Sequence, residues 1–370
     1  MPEAEEKVVS QNSAVEDDYE LALDDDVLDE TLLEQPSDIS FAITSYGADY
    51  TVDTIIKRLK SEAFYVPPFQ RRFVWSLRHA SRFIESLLMG LPVPGIFLYK
   101  EPITNRHLVV DGQQRLRTLK YFYEGLFGER KFRLNGVRAE WENKTYEDLA
   151  SPDRLKLDDS IVHATIFQQD EPKDSNRSLY FVFERINSGG LRLSPQEIRN
   201  CINDGPLMEA IRVANDDEYW RRSFGGKNNR LKDEELILRF MAMVMRRDVY
   251  TRPMRDFLNT FAADMEKADS ATLLGLRDTF SAAIKMCWEA KGKVAFRPSR
   301  VLNVAVYESV MIGVALRLQQ QPAPTPQAVA KAYDELLADK VFVRACERAT
   351  ADDETVKSRQ ALSIAAFAGV

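Results

Sequence analysis

Apolar positions in the first half of the chain predict strands and helices in alternation. Strands are predicted, from alternation or from short apolar runs, at residues 41–50, 96–99, 107–110 and 162–166. Helices are predicted, from apolar residues three or four positions apart, at residues 52–59, 77–89, 116–126 and 179–186. Ser194-Pro195-Gln196-Glu197 predicts one more helix start, because it joins a capping box to a proline at the first helical position.

The second half of the chain shows only helical patterns. After about Leu207 they run through residues 234–245, 254–267, 271–289, 299–318 and 326–337. This order predicts an α+β fold, in which an α+β domain precedes an all-helical one. We divide the chain into an acidic tail at residues 1–40, the α+β domain at 41–205 and the helical domain at 206–370.

Charge separates the tail from the rest of the chain. The 370 residues carry a net charge of −7, yet residues 1–40 contain 14 Asp or Glu and one Lys. The remainder therefore holds 43 acidic and 49 basic side chains, a net charge of +6. An acidic and weakly apolar tail of this kind is typical of a disordered segment, which could cover a basic groove of the same chain.

Composition bounds the compartment and argues against a membrane protein. A chain that is 45% hydrophobic can bury a large core, but it has no run of ~20 apolar residues that could span a bilayer. It does not begin with a basic region followed by an apolar one, so we expect no secretory signal. Cys201, Cys287 and Cys346 are isolated in sequence, which fits reduced thiols. The sequence therefore predicts a cytoplasmic protein.

The stretch between the strand at 107–110 and the next helix carries the strongest candidate chemistry. It reads Asp111-Gly112-Gln113-Gln114-Arg115, so a glycine turn would direct unpaired N–H groups and the positive end of a helix dipole toward one spot. A phosphate group suits that spot. Arg115 is unfavourable for the helix itself and is better explained if it faces an anion. In the alternative, Asp111 only caps the helix and Arg115 pairs with a nearby carboxylate.

Two further clusters offer hydrogen-bond donors to an anion. Gln70-Arg71-Arg72 precedes Trp75, and arginine matches phosphate geometry while tryptophan can stack on a base. Arg185 and Asn187 lie where a predicted helix ends in Ser188-Gly189-Gly190, small residues that permit a close backbone approach. The alternatives are a solvated edge segment for the first cluster and a glycine helix cap for the second.

Taken in order, the motifs resemble one known family. They are Pro-Phe-Gln-Arg-x-Phe-Val-Trp, Ile-Glu-Ser-Leu-Leu-x-Gly-Leu-Pro-Val-Pro, Val-Asp-Gly-Gln-Gln-Arg-Leu, Phe-Glu-Arg-Ile-Asn and Leu-Ser-x-Gln-Glu-Ile-Arg-Asn. Over residues 45–245 the chain resembles the N-terminal domain of GmrSD-type modification-dependent restriction proteins. That family looks distantly similar to the ParB/sulfiredoxin-like fold, in which an equivalent turn holds nucleotide phosphates. The resemblance implies a domain that binds and hydrolyses nucleoside triphosphates and helps to regulate attack on modified foreign DNA, as in anti-phage defence.

The resemblance also implies a role for each cluster. The implied catalytic residues are Asp111, Gln113, Gln114 and Arg115, with Asp111 also holding the Mg²⁺ that accompanies the nucleotide. The implied nucleotide-binding residues are Gln70, Arg71, Trp75, Gly112, Arg185 and Asn187.

One departure from the restriction proteins limits what the resemblance implies. Those proteins usually carry a C-terminal HNH nuclease, which needs histidines, whereas this chain has only His79, His107 and His163. We therefore expect a separate nuclease subunit as a partner, and treat the chain as a possible NTPase. Two alternatives stay open: a ParB-like nuclease, and a non-catalytic DNA sensor that tracks phosphates with Arg71, Arg72, Arg117, Arg221 and Arg222.

Overall fold

A computed structural model describes residues 42–66, 73–102, 104–171, 177–186, 194–203, 205–228 and 230–370. The first half contains β1 (Ala42–Thr51), α1 (Val52–Lys60), β2 (Phe64–Tyr65), α2 (Leu77–Met89), β3 (Ile96–Lys100), β4 (His107–Asp111), α3 (Gln113–Glu124), β5 (Leu126–Phe127), β6 (Arg130–Lys131), α4 (Ser151–Asp158), β7 (Ile161–Glu171), α5 (Arg177–Ile186) and α6 (Pro195–Ile202). The second half contains α7 (Pro206–Asn215), α8 (Glu218–Phe224), α9 (Lys232–Arg246), α10 (Met254–Asp264), α11 (Ser270–Lys291), α12 (Val304–Leu318), α13 (Pro326–Ala338), α14 (Lys340–Glu347) and α15 (Asp353–Ala368).

Five strands form one mixed sheet in the order β1-β7-β3-β4-β2. The pairs β1–β7 and β3–β4 are antiparallel, whereas β3–β7 and β2–β4 are parallel. The predicted α+β fold is confirmed, with β4 between β3 and β2 in the sheet. The division into three segments stays a prediction.

Helices cover the sheet on both faces, which is why β4 is a short apolar run without alternation. On one face Val109 packs with Ile56 of α1, Leu87 of α2 and Leu119 of α3. On the other face Leu108 and Val110 pack with residues of α5 and α6, such as Leu179 and Ile198. Successive side chains of a strand point to opposite faces, so β4 contributes to both cores.

The predicted helix signals are found at several ends. Ser194 caps α6 by accepting a hydrogen bond from the N–H of Glu197, whose carboxylate accepts one from the N–H of Ser194, and Pro195 is the first helical residue. Gly90 ends α2 in the left-handed conformation. The helix predicted to start near residue 299 instead begins at Val304, because Asn303 accepts a hydrogen bond from the N–H of Val306.

The second half is a helical assembly around α12, most of whose side chains are buried. Its Glu308 is paired at 2.5 Å with Arg359 of α15. None of the helices in the described ranges has the length and apolar content that crossing a bilayer requires.

The short helix α6 joins the two halves through buried polar side chains. Arg199 donates to Asn259 of α10 at 2.8 Å and to Glu235 of α9 at 3.1 Å. Asn200 donates to Glu234 of α9 at 2.7 Å. The apolar side of the same helix lies against the sheet, so α6 belongs to both cores.

Candidate functional site

The predicted turn is present, and its glycine is required by both conformation and space. Gly112 has φ +98° and is the N-cap of α3, and no side chain of the described residues is bonded to the helix start. A Cβ atom at this position would lie 2.5 Å from Cγ2 of Ile96. The alternative in which Asp111 caps the helix is therefore wrong. The first N–H groups of α3 are left for an acceptor from outside the turn.

Asp111 and Arg115 are paired with each other. Nη2 of Arg115 donates to Oδ2 of Asp111 at 2.7 Å and to the carbonyl oxygen of Gly95 at 2.9 Å. The Arg115 side chain is 16% exposed and that of Asp111 is 40% exposed. Nε of Arg115 is buried without a hydrogen-bond partner among the described residues. The alternative of a carboxylate partner for Arg115 is thus correct, and an added contact with an anion stays a prediction.

The two adjacent glutamines have different surroundings. Oε1 of Gln114 accepts from the N–H of Val74 at 3.0 Å and from that of Trp75 at 3.3 Å. Gln114 therefore fastens the segment after residue 72 to the start of α3. Oε1 of Gln113, by contrast, is buried and accepts no hydrogen bond within the described part of the chain. An unused buried acceptor is costly, so Gln113 is the better candidate for contact with a ligand.

Of the other predicted site residues, the structure brings Trp75 to the turn. Its backbone is held by Gln114, and its ring packs edge-on against Phe83 with centroids 5.7 Å apart. Arg185 lies exposed near the end of α5, and no described contact links it to the turn. The predicted residues Gln70, Arg71 and Asn187 lie outside the described residues.

A comparison with known families agrees with this architecture. Residues 52–203 match the family model of the GmrSD restriction endonuclease, N-terminal domain. This segment is a GmrSD N-terminal domain. The match runs from the start of α1 through the end of α6, so it includes the Gly112 turn, and it relates the chain to restriction and defence systems. No curated protein matches the chain.

The GmrSD N-terminal domain also contains a cleft that the motifs did not predict. Its volume is about 610 Å³, and it is lined by Tyr65 at β2, Arg106 before β4, Arg117 and Lys120 of α3, and residues at the end of α6. A signal for it was present in the sequence. Gln113, Arg117 and Lys120 are four and three positions apart, a spacing that places three polar side chains on one helix face.

Metal ligands are sparse in this domain. Within the described ranges no group of three His, Cys, Asp or Glu side chains could hold a metal ion. Asp111 has one oxygen bonded to Arg115, so a cation there would need most of its ligands from a bound molecule. The role of Asp111 as a Mg²⁺ ligand stays a prediction.

The histidines lie in structural positions. His107 starts β4, and burial lowers its pKa, as do the nearby charges of Arg58 and Lys100. Nδ1 of His163 lies 2.8 Å from Asp49 across the β1–β7 pair. His79 lies beside the N-cap Ser76 of α2.

Proposed function

We propose that this GmrSD N-terminal domain binds a nucleoside triphosphate at the Gly112 turn and hydrolyses it, as a regulatory step in a restriction-type defence system. One observation carries the proposal: α3 begins at a left-handed glycine with no side-chain cap. Its first N–H groups and the positive end of its dipole are suited to phosphate oxygens. The chain has no Gly-x-x-x-x-Gly-Lys-[Ser/Thr] loop, so the phosphate site would differ from a P-loop.

Arg115 would supply the side-chain charge for the phosphates. Its two hydrogen bonds to described residues both leave from Nη2, so Nη1 is the atom that would contact a phosphate oxygen beside the turn. Asp111 and the Gly95 carbonyl fix the guanidinium before a ligand arrives, which reduces the ordering cost of binding. A charge already in place can also stabilise the negative charge that develops during phosphoryl transfer.

The remaining residues of the turn divide the other roles. Oδ1 of Asp111 would contact a Mg²⁺ ion that arrives with the triphosphate, and the ion would offset phosphate charge. Gln113 would orient a water molecule with its unused oxygen. Gln114 would act as a positioning residue, because its oxygen is already bonded to the backbone of Val74 and Trp75. Gln70, Arg71, Arg185 and Asn187 stay in the proposal as further contacts to the nucleotide.

Phosphate release is the direct test. We would measure it for the four nucleoside triphosphates with Mg²⁺, with and without DNA, and measure nucleotide affinity by calorimetry in parallel. We expect Arg115→Ala to weaken binding about tenfold or more, equivalent to about 1.4 kcal/mol. Arg138→Ala is the matched control, since Arg138 is an exposed arginine of the same domain that lies 4.0 Å from Glu140. Full binding and turnover by Arg115→Ala would defeat the assignment.

Two substitutions of Asp111 separate its two possible contributions. Asp111→Asn removes the charge but keeps an oxygen that can accept from Arg115. If Asp111 holds Mg²⁺, this variant loses Mg²⁺-dependent turnover. If Asp111 only holds Arg115, the variant binds Mg²⁺-free triphosphate more tightly than the wild type, because a neighbouring negative charge is gone. Asp111→Ala loses both functions.

A DNA sensor is the second candidate. Two of the arginines that would contact DNA phosphates, Arg221 and Arg222, have protein partners. Nη1 of Arg221 is paired with buried Asp233 at 3.1 Å, and Nη2 donates to Asn215 at 2.6 Å. Arg222 is paired with Glu218. These two arginines are therefore engaged within the helical region. DNA binding would predict a steep loss of affinity with rising salt and no phosphate release.

Cleavage of DNA would in this proposal belong to a nuclease outside residues 1–370, and a separate nuclease subunit is the partner we propose. A ParB-like nuclease centred on Asp111 has less support, since one carboxylate paired with arginine is a thin basis for a metal-dependent phosphodiesterase. A pull-down that captures a nuclease only in the presence of nucleotide would support the partner.

A further inference from the structure

The cleft beside α3 lies next to the Gly112 turn but is formed by other residues. It is bounded by the end of α1, by β2, by one face of α3 and by the end of α6. Asp111, Gly112 and Arg115 are not among the residues that line it. Arg115 bonds toward β3 through Gly95, whereas Gln113 and Arg117 lie on another face of the helix, because residues two positions apart do not share a face.

The cleft is lined by three cations, Arg106, Arg117 and Lys120, and by two carboxylates, Glu62 and Glu101, so its side chains carry a net charge of +1. Among the described residues, neither Arg106 nor Arg117 forms an ion pair. The contact between Lys120 and Glu124 is long, at 3.9 Å. Glu101 also lines the cleft, but it accepts hydrogen bonds from Tyr65 and Thr104. Unpaired arginines in a concave surface favour an anionic ligand.

Aromatic surface accompanies this charge. The guanidinium of Arg106 lies 4.2 Å from the centre of the Tyr65 ring, and the Tyr65 hydroxyl is fixed by Glu101. Tyr121 also lines the cleft and packs edge-on against Phe73, with ring centroids 5.2 Å apart. Aromatic rings and arginine planes together form a surface on which a nucleobase can stack. A ligand with both phosphate and a planar ring fits this combination.

Along α3, Gln113 lies between the Gly112 turn and the residues of the cleft, although it does not line the cleft itself. It is the first residue of α3, and Arg117 and Lys120 follow on the same face. The rise from the first to the last of these residues is about 10 Å at ~1.5 Å per residue. A triphosphate at the helix start could therefore place its nucleoside beside this face. A cleft of about 610 Å³ is within the range of roughly 300–1,000 Å³ that small-molecule sites occupy.

We infer that the cleft is the nucleoside half of the site, so that one nucleoside triphosphate has its terminal phosphates at the Gly112 turn and its base in the cleft. Arg117 contacts the phosphate nearest to the sugar. Arg106, supported by Tyr65, and Lys120 contact the base. This inference rests on the proposed function for the class of ligand.

Two probes distinguish the cleft from the turn. One is inorganic tripolyphosphate, which has no base, and the other is the nucleoside triphosphate that the wild type binds most tightly. We expect Arg106→Ala and Lys120→Ala each to weaken nucleotide binding about tenfold. Their affinity for tripolyphosphate should stay within about twofold of the wild type. Arg138→Ala should leave the affinity for both probes unchanged.

The outcomes separate this inference from the proposed function. Unchanged nucleotide affinity in both cleft variants overturns the inference alone, and so does an equal loss for both probes. A wild-type protein that binds neither probe overturns the turn and the cleft together. Binding of a single-stranded oligonucleotide that depends on Arg106, without binding of free nucleotide, assigns the cleft to a nucleic acid and overturns the inference as stated.

Folding is controlled within the same experiment. Arg106→Ala removes the contact with Tyr65, so thermal unfolding must be measured beside binding. Lys120→Ala carries little risk, because the Lys120 side chain is 43% exposed and its ion pair is long. If Arg106→Ala does not fold, Lys120→Ala alone decides between a base in the cleft and an empty cleft.

Discussion

Two arginines of the GmrSD N-terminal domain face carboxylates, but in opposite surroundings. Arg115 pairs with Asp111 at the turn, where the carboxylate is 40% exposed and the arginine side chain makes two hydrogen bonds, both from Nη2. Arg199 lies in α6 with 1% of its side chain exposed, and it bonds to Gln196, Asn259 and Glu235. Among the described contacts of Arg115, only Nη2 donates a hydrogen bond, whereas the Arg199 side chain is enclosed by protein partners.

The charge of Glu235 depends on its two arginine neighbours. Burial alone would raise the pKa of Glu235, but Arg199 and Arg239 lie close to the carboxylate and lower it. The carboxylate is therefore held ionised inside the protein by two arginines, each within 3.1 Å. A closed network of this kind fixes one arrangement of helices and has no capacity for a ligand. An arginine–carboxylate contact thus marks a candidate site only where solvent and unused donors remain.

Replacing Arg199 should have the largest effect on stability. Arg199→Met keeps much of the volume but leaves Glu235 with Arg239 as its one arginine, and takes a donor from Gln196 and Asn259. Breaking a buried ion pair from one side costs about 3–5 kcal/mol. Denaturant unfolding measures the loss. The matched control is Arg222→Met, which removes an exposed ion pair and should change the free energy of unfolding by at most ~1 kcal/mol.

An Arg199→Met protein as stable as the wild type would contradict the role of α6 as a joint between the two halves. In that case the buried bonds to α9 and α10 would contribute little. Arg199 would then not differ from Arg115 in its contribution to stability.

Gly112→Ala should have the next largest effect, and it concerns the open region. The new Cβ meets Ile96 at 2.5 Å and forces a side-chain residue into φ +98°. Such strained conformations cost about 1–3 kcal/mol each. Gly125→Ala is the matched control at the other end of α3, since Gly125 has φ +74° but nothing within 4 Å of its Cβ position.

The difference between the two glycine variants isolates the contact with Ile96. We expect Gly112→Ala to unfold at lower denaturant concentration than Gly125→Ala and to bind triphosphate more weakly. Equal stability of the two variants would show that the turn tolerates a side chain, and the close approach of β3 would not explain the glycine.

Local signals in the sequence predicted the backbone of the site well. The apolar run at β4, the glycine after it and the helical spacing that follows identified the strand, turn and helix, because each depends on neighbouring residues. The capping box at Ser194 worked for the same reason. Five helices were not predicted: α4, α7, α8, α14 and α15. The first four have 7 to 10 residues, so they contain few turns of apolar periodicity, and α15 buries the polar Arg359, Gln360 and Ser363 where apolar residues were expected.

Side-chain partners could not be predicted in the same way. Nothing in the order of residues indicates that Gln114 bonds to Val74 and Trp75, 40 and 39 positions earlier, since the fold brings those segments together. The same holds for Arg106 and Tyr65, which meet because β2 and β4 are parallel neighbours. The walls of the cleft outside α3 could therefore be found only from the structure.

His107 provides a third case, because it is a buried titratable side chain whose charged neighbours are cations. Burial and the charges of Arg58 and Lys100 lower its pKa below the ordinary 6.5. The unfolded chain then takes up a proton more readily than the folded one, so stability present above pH 6.5 is lost as pH falls toward the folded pKa. We expect His107→Phe to flatten the stability profile between pH 7.5 and 5.5. Denaturant unfolding of the wild type and the variant across this pH range measures the change.

The smallest effect on stability is expected at Arg115. This substitution tests whether Arg115, unlike Arg199, contributes to ligand binding more than to stability. Its carboxylate partner is 40% exposed, so Arg115→Ala should lower the free energy of unfolding by on the order of 1 kcal/mol, well below the loss for Arg199→Met. Triphosphate affinity should fall more for Arg115→Ala than for Arg199→Met, because Arg115 would contact the phosphates and Arg199 is enclosed by protein. We would measure the free energy of unfolding and the triphosphate affinity of both variants, and rank the two variants separately by each quantity. If Arg115→Ala costs as much stability as Arg199→Met and spares affinity, both arginines are structural, and the turn has no claim to bind phosphate through its side chain.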